Sequence, residues 1–299
     1  MKKVLKWVGI VFGSLLGLLL VVVLGLYISG NARWNKAYEF PPSNITVPTD
    51  ADSIALGKHR AEVLCQGCHG TDLSGITKWF DDPMLGSIDT ANLTAGAGGI
   101  GGTYSTEEFV LAIRHGVGKD GTPLFMPAVE STANLSDEEL GSIIAYIRSV
   151  PPVDHETHSA QFKPMAKILL AAGVLNLPVE VVSHKTDIPS PTYGANAEYG
   201  EYLVNTNDCR LCHGPNLNGG PYPDPTITRI SPNLTPGGEL AFWSEADFIK
   251  AIRDGKTPSG RELDASLMPW DYYGNFYDDE LKAIWLYLQS LPKLEQYTE

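Results

Sequence analysis

The chain begins with a long apolar run. No charged residue occurs from Trp7 to Gly30, and 24 residues in a helix would span about 36 Å, more than the roughly 30 Å hydrocarbon core of a bilayer. We therefore predict a transmembrane anchor at residues 1–30. A cleaved signal peptide is the alternative, but its apolar region is usually only about 7–15 residues long and the cleavage site here is poor.

A proline-containing segment follows the apolar run. Residues 31–49 hold Pro41, Pro42 and Pro48 among polar residues, which predicts a short extended stalk with no core of its own. Three lysines precede the apolar run and two basic residues follow it closely. This small bias favours a cytoplasmic N-terminus.

From residue 50 onward, two halves repeat one order of apolar and polar positions. Each half starts with an amphipathic helix that contains one glycine, Gly57 or Gly200. Each then has a helix with a serine N-cap, an acidic residue three positions later and a glycine stop, at residues 105–116 and 244–255. Each closes on a further amphipathic helix that stops at a proline, at residues 136–151 and 278–292.

This repetition predicts an internal duplication of a domain of about 100 residues. The first domain is expected at residues 50–150 and the second at residues 191–299. Between them, residues 151–190 form a linker bounded by prolines, in which residues 162–175 could form one helix packed against a domain.

Charge is unevenly spread along the chain. Of the net charge of −13, residues 50–150 carry −8 and residues 191–299 carry another −8. Such acidity argues against nucleic acid as a partner and favours a protein with a cationic surface. The alternative is that the acidity only keeps the domains soluble.

The four cysteines lie in two pentamers of one pattern. The pentamers are Cys65-Gln66-Gly67-Cys68-His69 and Cys209-Arg210-Leu211-Cys212-His213. This is the spacing of c-type haem attachment, in which both thiols bond to the vinyl groups of one porphyrin and the next imidazole reaches the iron. We predict two covalently bound haem c groups, one per pentamer, with His69 and His213 as the proximal iron ligands.

Two other chemistries use Cys-x-x-Cys pairs. A redox dithiol favours a thioredoxin-like βαβ context and needs no histidine after it. A zinc site built from both pairs would normally hold them about 15–20 residues apart, whereas 140 residues separate Cys68 from Cys209. Neither chemistry requires the histidine that ends each pentamer.

The second axial position of each iron needs its own ligand. Met126 lies 57 residues after His69, and Met268 lies at a matched position, 55 residues after the second proximal histidine. Both precede proline, which favours an extended conformation for the residue before it. A thioether ligand stabilises reduced iron and raises the potential, whereas an open site permits ligand chemistry. Since the chain has only five methionines, we interpret this matched pair as axial ligands rather than core filler.

Three other candidates for the iron are weaker. Met84 lies only 15 residues after His69 and has no counterpart in the second half. His115 aligns with Asp254, so we expect a solvated imidazole at a helix end. His59 is likewise expected to be an ordinary solvated side chain.

Four further residues match across the repeat. Arg114 and Arg253 are candidate contacts for haem propionates, with surface charges as the alternative. Tyr104 and Trp243 come just before the capped helices, where core packing is the default and a propionate hydrogen bond the alternative.

These motifs give residues 50–299 a resemblance to a known family. The chain resembles tandem class I cytochromes c and is similar to the dihaem cytochromes c related to the cytochrome subunits of membrane-associated alcohol and gluconate dehydrogenases. The resemblance is carried by the pentamers, Asn92-Leu93-Thr94, residues 109–116, Met126-Pro127 and their second-half equivalents. It implies all-α domains whose N- and C-terminal helices cross beside the haem, which offers a reason for the glycine in each first helix. Those dehydrogenase subunits usually carry three haem domains, whereas this chain has two.

The expected function is electron transfer. Two irons with both axial positions filled leave no place for a substrate, so we predict a membrane-anchored dihaem electron carrier rather than an enzyme. Expected partners are redox proteins: a dehydrogenase, a quinol-oxidising complex, a soluble cytochrome or a terminal oxidase. The alternatives are a dihaem peroxidase-like enzyme and a fixed cytochrome subunit of a terminal oxidase. Because c-type haem is attached outside the cytoplasm in bacteria, the haem domains are expected in the periplasm, on a single-pass anchor in the inner membrane.

Overall fold

The structure is a computed structural model that describes residues 2–222 and 227–298. Its helices are α1 (Lys2–Trp34), α2 (Ala51–Leu64), α3 (Gln66–His69), α4 (Thr106–Val110), α5 (Val129–Thr132), α6 (Asp137–Ser149), α7 (Pro164–Ala171), α8 (Pro178–Val181), α9 (Ala197–Thr206), α10 (Cys209–His213), α11 (Glu245–Asp254), α12 (Trp270–Tyr273) and α13 (Asp278–Ser290). The strands are β1 (Phe80–Asp82), β2 (Gly86–Ile88), β3 (Gln161–Phe162), β4 (Gly220–Pro221) and β5 (Ile230–Ser231). The predicted architecture, mostly helical with one N-terminal apolar helix, is confirmed.

Helix α1 is the apolar run of the sequence. Among the described residues, it is the one helix that is long and apolar enough to cross a membrane. It continues to Trp34, beyond the expected end of the anchor. Its large side chains are exposed, with Leu15 at 61% and Phe12 at 69%, as expected for a helix that lipid would cover.

Residues 36–49 have no regular secondary structure, and they lie along the first domain instead of standing free. The backbone N–H of Tyr38 donates to the carbonyl of Gly121 at 2.9 Å. The hydroxyl of Ser43 donates to a carboxylate oxygen of Glu107 at 2.8 Å, and Ile45 packs against the core of the first domain. The segment expected to act as a stalk is therefore attached to that domain along its length.

In each domain, the first and last helices cross at a glycine. Helix α2 meets α6 where a Cβ on Gly57 would lie 1.9 Å from the carbonyl oxygen of Ser142. Helix α9 meets α13 where a Cβ on Gly200 would lie 1.9 Å from the carbonyl oxygen of Ala283. Because real Cβ atoms essentially never come closer than 3.0 Å, only glycine permits these crossings.

Each domain has its own apolar core. In the first domain, the core contains Leu73, Leu93, Phe109, Val110, Leu135, Leu140, Ile143, Ile144 and Ile147. In the second, it contains Tyr199, Leu203, Val204, Leu217, Leu240, Phe248, Ile252, Phe276, Leu281, Ala283, Ile284, Trp285, Tyr287 and Leu288. Val63 of the first domain belongs to the second core, so the two domains share a packed interface.

The predicted helix caps are present in both domains. Ser105 and Ser244 each form a capping box with the acidic residue three positions later. Gly116 and Gly255 end these segments with φ of 71° and 64°, the left-handed conformation typical of such stops. The two segments differ in one respect, because α4 continues as a π-helical turn (Leu111–His115) whereas α11 is regular throughout.

The linker packs on the first domain and on α1. Strand β3 pairs antiparallel with β2, with Phe162 opposite Gly86, and β2 pairs antiparallel with β1. The helix expected at residues 162–175 is shorter, because α7 is followed by Gly173 at a φ of 74°. A small core holds the linker to the first domain and is made of Val117, Leu170, Leu177 and Val179.

Two candidate haem sites

The first pentamer lies where α2 ends. Cys65 is the C-terminal cap of α2, and Cys68 and His69 belong to α3. Gly70 follows with a φ of 79°, which turns the chain out of the helix. The Nδ1–H of His69 donates to the carbonyl oxygen of Ala91 at 2.8 Å, since a carbonyl can only accept. The Nε2 atom of His69 is therefore the one with a lone pair for a metal.

The second pentamer has the same local arrangement. It forms α10 directly after α9, and Gly214 follows with a φ of 77°. The Nδ1–H of His213 donates to the carbonyl oxygen of Pro232 at 2.8 Å. Burial lowers the pKa of His69 and of His213, which favours the neutral imidazole that ligates metals.

The Asn-Leu-Thr segments hold the two accepting carbonyls in place. Asn92 accepts the backbone N–H of Thr94 at 2.9 Å and donates its amide N–H to the carbonyl of Val153 at 2.8 Å. Asn233 repeats both bonds, at 2.8 Å and 2.7 Å. The residue before each asparagine provides the carbonyl that orients the histidine. The sequence showed that the two Asn-Leu-Thr segments match, but it did not show that they position the carbonyl that orients each histidine. That role depends on contacts between distant segments.

The environment of the thiols fits covalent haem better than its rivals. All four cysteines lie in described residues, and no disulfide joins any of them. Burial raises the pKa of the Cys65 and Cys209 thiols to about 12, which disfavours the reactive thiolate of a redox dithiol. No group of three or more His, Cys, Asp or Glu residues able to hold a metal ion occurs in residues 2–222 and 227–298. Paired thiols followed by an oriented imidazole with a free Nε2 match the donor set of haem c.

The candidate second ligands, Met126 and Met268, are both half-buried. Each lies just before a short helix, α5 or α12. The backbone N–H of Val129 donates to the Met126 carbonyl at 3.0 Å, and the Met268 backbone N–H donates to the carbonyl of Asp264 at 2.8 Å. Met268 also packs against the second core, whereas Met84 is 60% exposed. Iron ligation by Met126 and Met268 stays a prediction.

The two matched arginines make the same contact in both domains. Arg114 donates to Asp137 at 2.7 Å and Arg253 donates to Asp278 at 2.8 Å, in each case at the first residue of the last helix. Arg114 is 1% exposed, so the alternative that it is a surface charge is wrong. Its Nε is buried without a hydrogen-bond partner. The propionate contacts of both arginines stay predictions.

The two matched aromatic residues are half-buried. The ring of Tyr104 lies 5.5 Å from that of Phe109, between centroids, and Trp243 packs against the second core. Both side chains therefore have packing contacts. A propionate hydrogen bond from either stays a prediction.

Each pentamer lies close to the short helix that follows the candidate methionine of the other domain. A Cβ on Gly67, in the first pentamer, would lie 3.7 Å from the ring of Tyr272 in α12. In return, the backbone N–H of Asp208, next to the second pentamer, donates to the hydroxyl of Ser131 in α5 at 2.9 Å. The two pentamers therefore meet at one domain interface.

A buried ionic cluster closes the same interface. The fully buried Arg60 donates to Glu139 of its own domain at 3.1 Å and to Thr206 of the second domain at 3.3 Å. Burial alone would lower the pKa of Arg60, but Glu139 and its other buried neighbours raise it. His59 Nε2 lies 2.7 Å from a carboxylate oxygen of Glu280 in α13. Since His59 is 4% exposed, the expectation that it is solvated is wrong.

His115 also departs from the expectation of a solvated imidazole. It is 2% exposed and stacks on Phe40, with 4.2 Å between ring centroids. Its Nδ1 lies 3.0 Å from Nδ1 of His184. Burial lowers the pKa of His115 to about 4, because the stalk and the linker both cover it.

Family models match both halves of the chain. Residues 52–147 match the model for subunit III of cbb3-type cytochrome c oxidase, and residues 197–292 match the cytochrome c model. The two matches contain both pentamers and both candidate methionines. A solved structure, reduced recombinant cytochrome c4 from Pseudomonas stutzeri, covers 82% of this chain and is itself covered completely, at 18% identity and a TM-score of 0.22. That likeness is too weak to add to the family matches.

Several curated proteins are similar over most of the chain. It is 28% identical over 270 residues to the fructose dehydrogenase cytochrome subunit of Gluconobacter japonicus, covering 83% of this chain and 55% of that protein. It is 28% identical over 272 residues to the cytochrome c subunit of alcohol dehydrogenase (quinone) of Gluconacetobacter polyoxogenes, covering 81% and 57%. For the gluconate 2-dehydrogenase cytochrome c subunit of Pantoea cypripedii, the identity is 26% over 233 residues, with 69% and 52% covered. The chain thus spans just over half the length of these relatives.

Proposed function

We propose that this chain, which belongs to the cytochrome c family with one cytochrome c domain in each half, passes electrons from a membrane-associated dehydrogenase to a respiratory-chain partner. The expectation of two covalently bound haem c groups is confirmed, because one half matches the model for subunit III of cbb3-type cytochrome c oxidase, the other matches the cytochrome c model, and each match contains one pentamer. The observation that carries the proposal is the closeness of each pentamer to the other domain: Gly67 lies beside the ring of Tyr272, and Asp208, which precedes the second pentamer, bonds to Ser131. Two redox sites that meet at one interface are suited to pass an electron from one half of the chain to the other.

The residues of the chain attach, orient and shield the redox groups. A haem c group supplies reversible one-electron exchange at its iron. Two backbone carbonyls fix the tautomer and ring orientation of His69 and His213, so neither imidazole has to reorganise when the charge of the iron changes. The half-buried Met126 and Met268 are the candidates to fill the remaining axial positions. Filled positions leave no site for a substrate, which supports a carrier over a peroxidase-like enzyme.

A dehydrogenase is the proposed electron donor. The similar curated proteins are named as cytochrome subunits of fructose, alcohol and gluconate dehydrogenases. The two acidic domains support docking to partners with cationic surfaces, because charge steers weak and transient encounters. The same relatives favour this donor over a fixed place in a terminal oxidase.

The proposed location is the periplasmic side of the inner membrane. The length and exposure of α1 support a membrane anchor. The lysines before α1 favour a cytoplasmic N-terminus. Attachment of haem c outside the cytoplasm supports a periplasmic position for both domains.

Gentle detergent extraction of the tagged full-length holoprotein tests the proposed donor. We expect a dehydrogenase catalytic subunit to co-purify at low salt and to be lost at high salt, because the contact depends on charge. Extraction from cells that produce the untagged chain is the control. Co-purification of a terminal oxidase in place of a dehydrogenase, stable at high salt, would contradict the proposal.

A further inference from the structure

The linker packs against the C-terminal end of α1. Helix α7 crosses α1 where a Cβ on Gly30 would lie 1.8 Å from the carbonyl oxygen of Lys167, so the two backbones touch. The ammonium of Lys167 donates to the side-chain oxygen of Asn31 at 2.6 Å and lies 5.8 Å from the ring centre of Tyr27. Further along α1, Arg33 forms an ion pair with Glu180. Helix α7 is therefore fixed to α1 at a defined height.

That height corresponds to the surface of the membrane. From Trp7 to Gly30, α1 spans roughly 36 Å, whereas the hydrocarbon core is about 30 Å thick and the bilayer with its headgroups about 40–45 Å. With Lys6 at the far boundary, Gly30 falls within the near headgroup layer. Tyr27 agrees with this depth, because tyrosine is enriched at membrane interfaces.

The linker exposes several apolar side chains. Ala166 and Leu170 are buried, and Leu170 packs with Val117 of the first domain, but Met165 is 37% exposed, Val174 65% and Val181 51%. Residues 168–179 contain no charged residue. An apolar surface that continues from a membrane-spanning helix is typical of an element lying in the membrane interface.

The charge of the residues around the end of α1 agrees with a lipid surface as the partner of the linker. Residues 31–38 and 161–185 together carry a net charge of +4, while each haem domain carries −8. The basic residues therefore cluster around the exit of α1. Anionic headgroups attract basic residues placed next to a membrane-spanning segment.

We propose that residues 164–181 lie in the headgroup layer of the bilayer that α1 spans, with Met165, Val174 and Val181 against the acyl chains. This proposal rests on the membrane anchor of the proposed function. If α1 and the linker both lie in the membrane, the tilt of the first domain is fixed. The reason is that the linker is bound to that domain through β3 and through the small core around Leu170. The first haem site would then have a fixed orientation relative to the membrane when it meets a partner, instead of moving freely on a flexible stalk.

A depth measurement on the full-length holoprotein tests the proposal. All four native cysteines become thioethers in the holoprotein, so a single Val174→Cys can be labelled with an environment-sensitive fluorophore. In lipid nanodiscs that contain lipids with a nitroxide near the headgroup, we expect several-fold stronger quenching at position 174 than at a Phe242→Cys control. Phe242 is 90% exposed in the second domain, so the two sites are matched in accessibility. Met165→Cys should behave like Val174→Cys, and the haem spectrum checks that each variant is folded.

A third label at Leu15→Cys, near the middle of the part of α1 that spans the bilayer, is measured with lipids that carry the nitroxide deep in the acyl chain. This label separates the two ways in which the experiment could fail. Quenching at position 15 with none at positions 174 and 165 would overturn the seated linker and leave the anchor intact. Absence of quenching at all three positions would overturn the anchor itself, and with it the membrane location proposed above. Equal quenching at positions 174 and 242 would also overturn the seated linker, because the contact would then not be specific to it.

Discussion

Replacing Met126 by alanine should lower the reduction potential of one haem by on the order of 0.1 V or more, a share of the ~0.8 V range that axial ligands cover. The thioether stabilises reduced iron, so its loss favours the oxidised state. Met268→Ala should lower the potential of the other haem in the same way. A spectroelectrochemical titration of the holoprotein resolves the two one-electron steps.

Met84→Ala is the matched control for this pair of variants. Met84 lies in the first domain but is 60% exposed in the turn between β1 and β2, so its replacement should leave both potentials unchanged. A lowered potential in Met84→Ala, with none in Met126→Ala, would show that the ligand of the first haem has been assigned to the wrong residue. A small shift of the first haem in Met268→Ala remains compatible with the structure, because α12 contacts the first pentamer at Gly67.

Replacing Arg60 by methionine should destabilise the packed pair of domains by about 3–5 kcal/mol, because it leaves a buried carboxylate without its cation. Glu139 is fully buried and accepts the Arg60 guanidinium at 3.1 Å, and Glu280 lies 3.9 Å from the same guanidinium. Denaturant unfolding of the holoprotein, followed by haem absorbance and by circular dichroism, measures the loss.

Lys58→Met is the control for Arg60→Met on the same helix. The side chain of Lys58 is 58% exposed and lies 3.7 Å from Glu62, and such surface pairs contribute only about 0–1 kcal/mol. A second change, Glu139→Met in the Arg60→Met background, should recover part of the stability, because both buried charges are then removed together. Equal losses in the Lys58 and Arg60 variants would contradict a stabilising role for the buried cluster.

Features encoded by neighbouring residues could be predicted from the sequence. The capping boxes depend on Ser105 or Ser244 and on the acidic residue one helical turn later. Each glycine stop lies about three turns from the cap, at the end of the same segment. The crossings at Gly57 and Gly200 followed from the resemblance to tandem cytochromes c and are present in the structure. Repetition strengthened each of these predictions, because every motif occurs twice.

The domain interface could not be predicted in the same way. Arg60 and His59 lie on a helix with many polar residues, where a polar side chain normally faces water. Their partners, Glu139 and Glu280, are 79 and 221 residues away, and Tyr202, at the position that matches His59, donates to Glu139 at 2.8 Å. Such contacts depend on how two domains dock, which periodicity within one domain does not encode.

The stalk and the linker show a second limit of sequence patterns. Prolines and polar residues predicted an extended stalk at residues 31–49, but residues 31–34 belong to α1, and residues 36–49 have no regular secondary structure. The pattern did not reveal that Tyr38 and Phe40 cover the linker core or that Phe40 stacks on His115. Few apolar side chains are enough to hold an extended segment against a domain, and too few to produce a periodic signal.

Exposure of the reduced holoprotein to carbon monoxide is the most direct test of the claim that this chain is an electron carrier with both irons fully ligated. Haem iron with a filled axial position has no site for the gas, whereas an open or labile site binds it. We expect the absorption spectrum of the reduced protein to remain unchanged at both haems on mixing. Rapid binding of one carbon monoxide per chain, at either haem, would contradict the claim and favour a peroxidase-like enzyme.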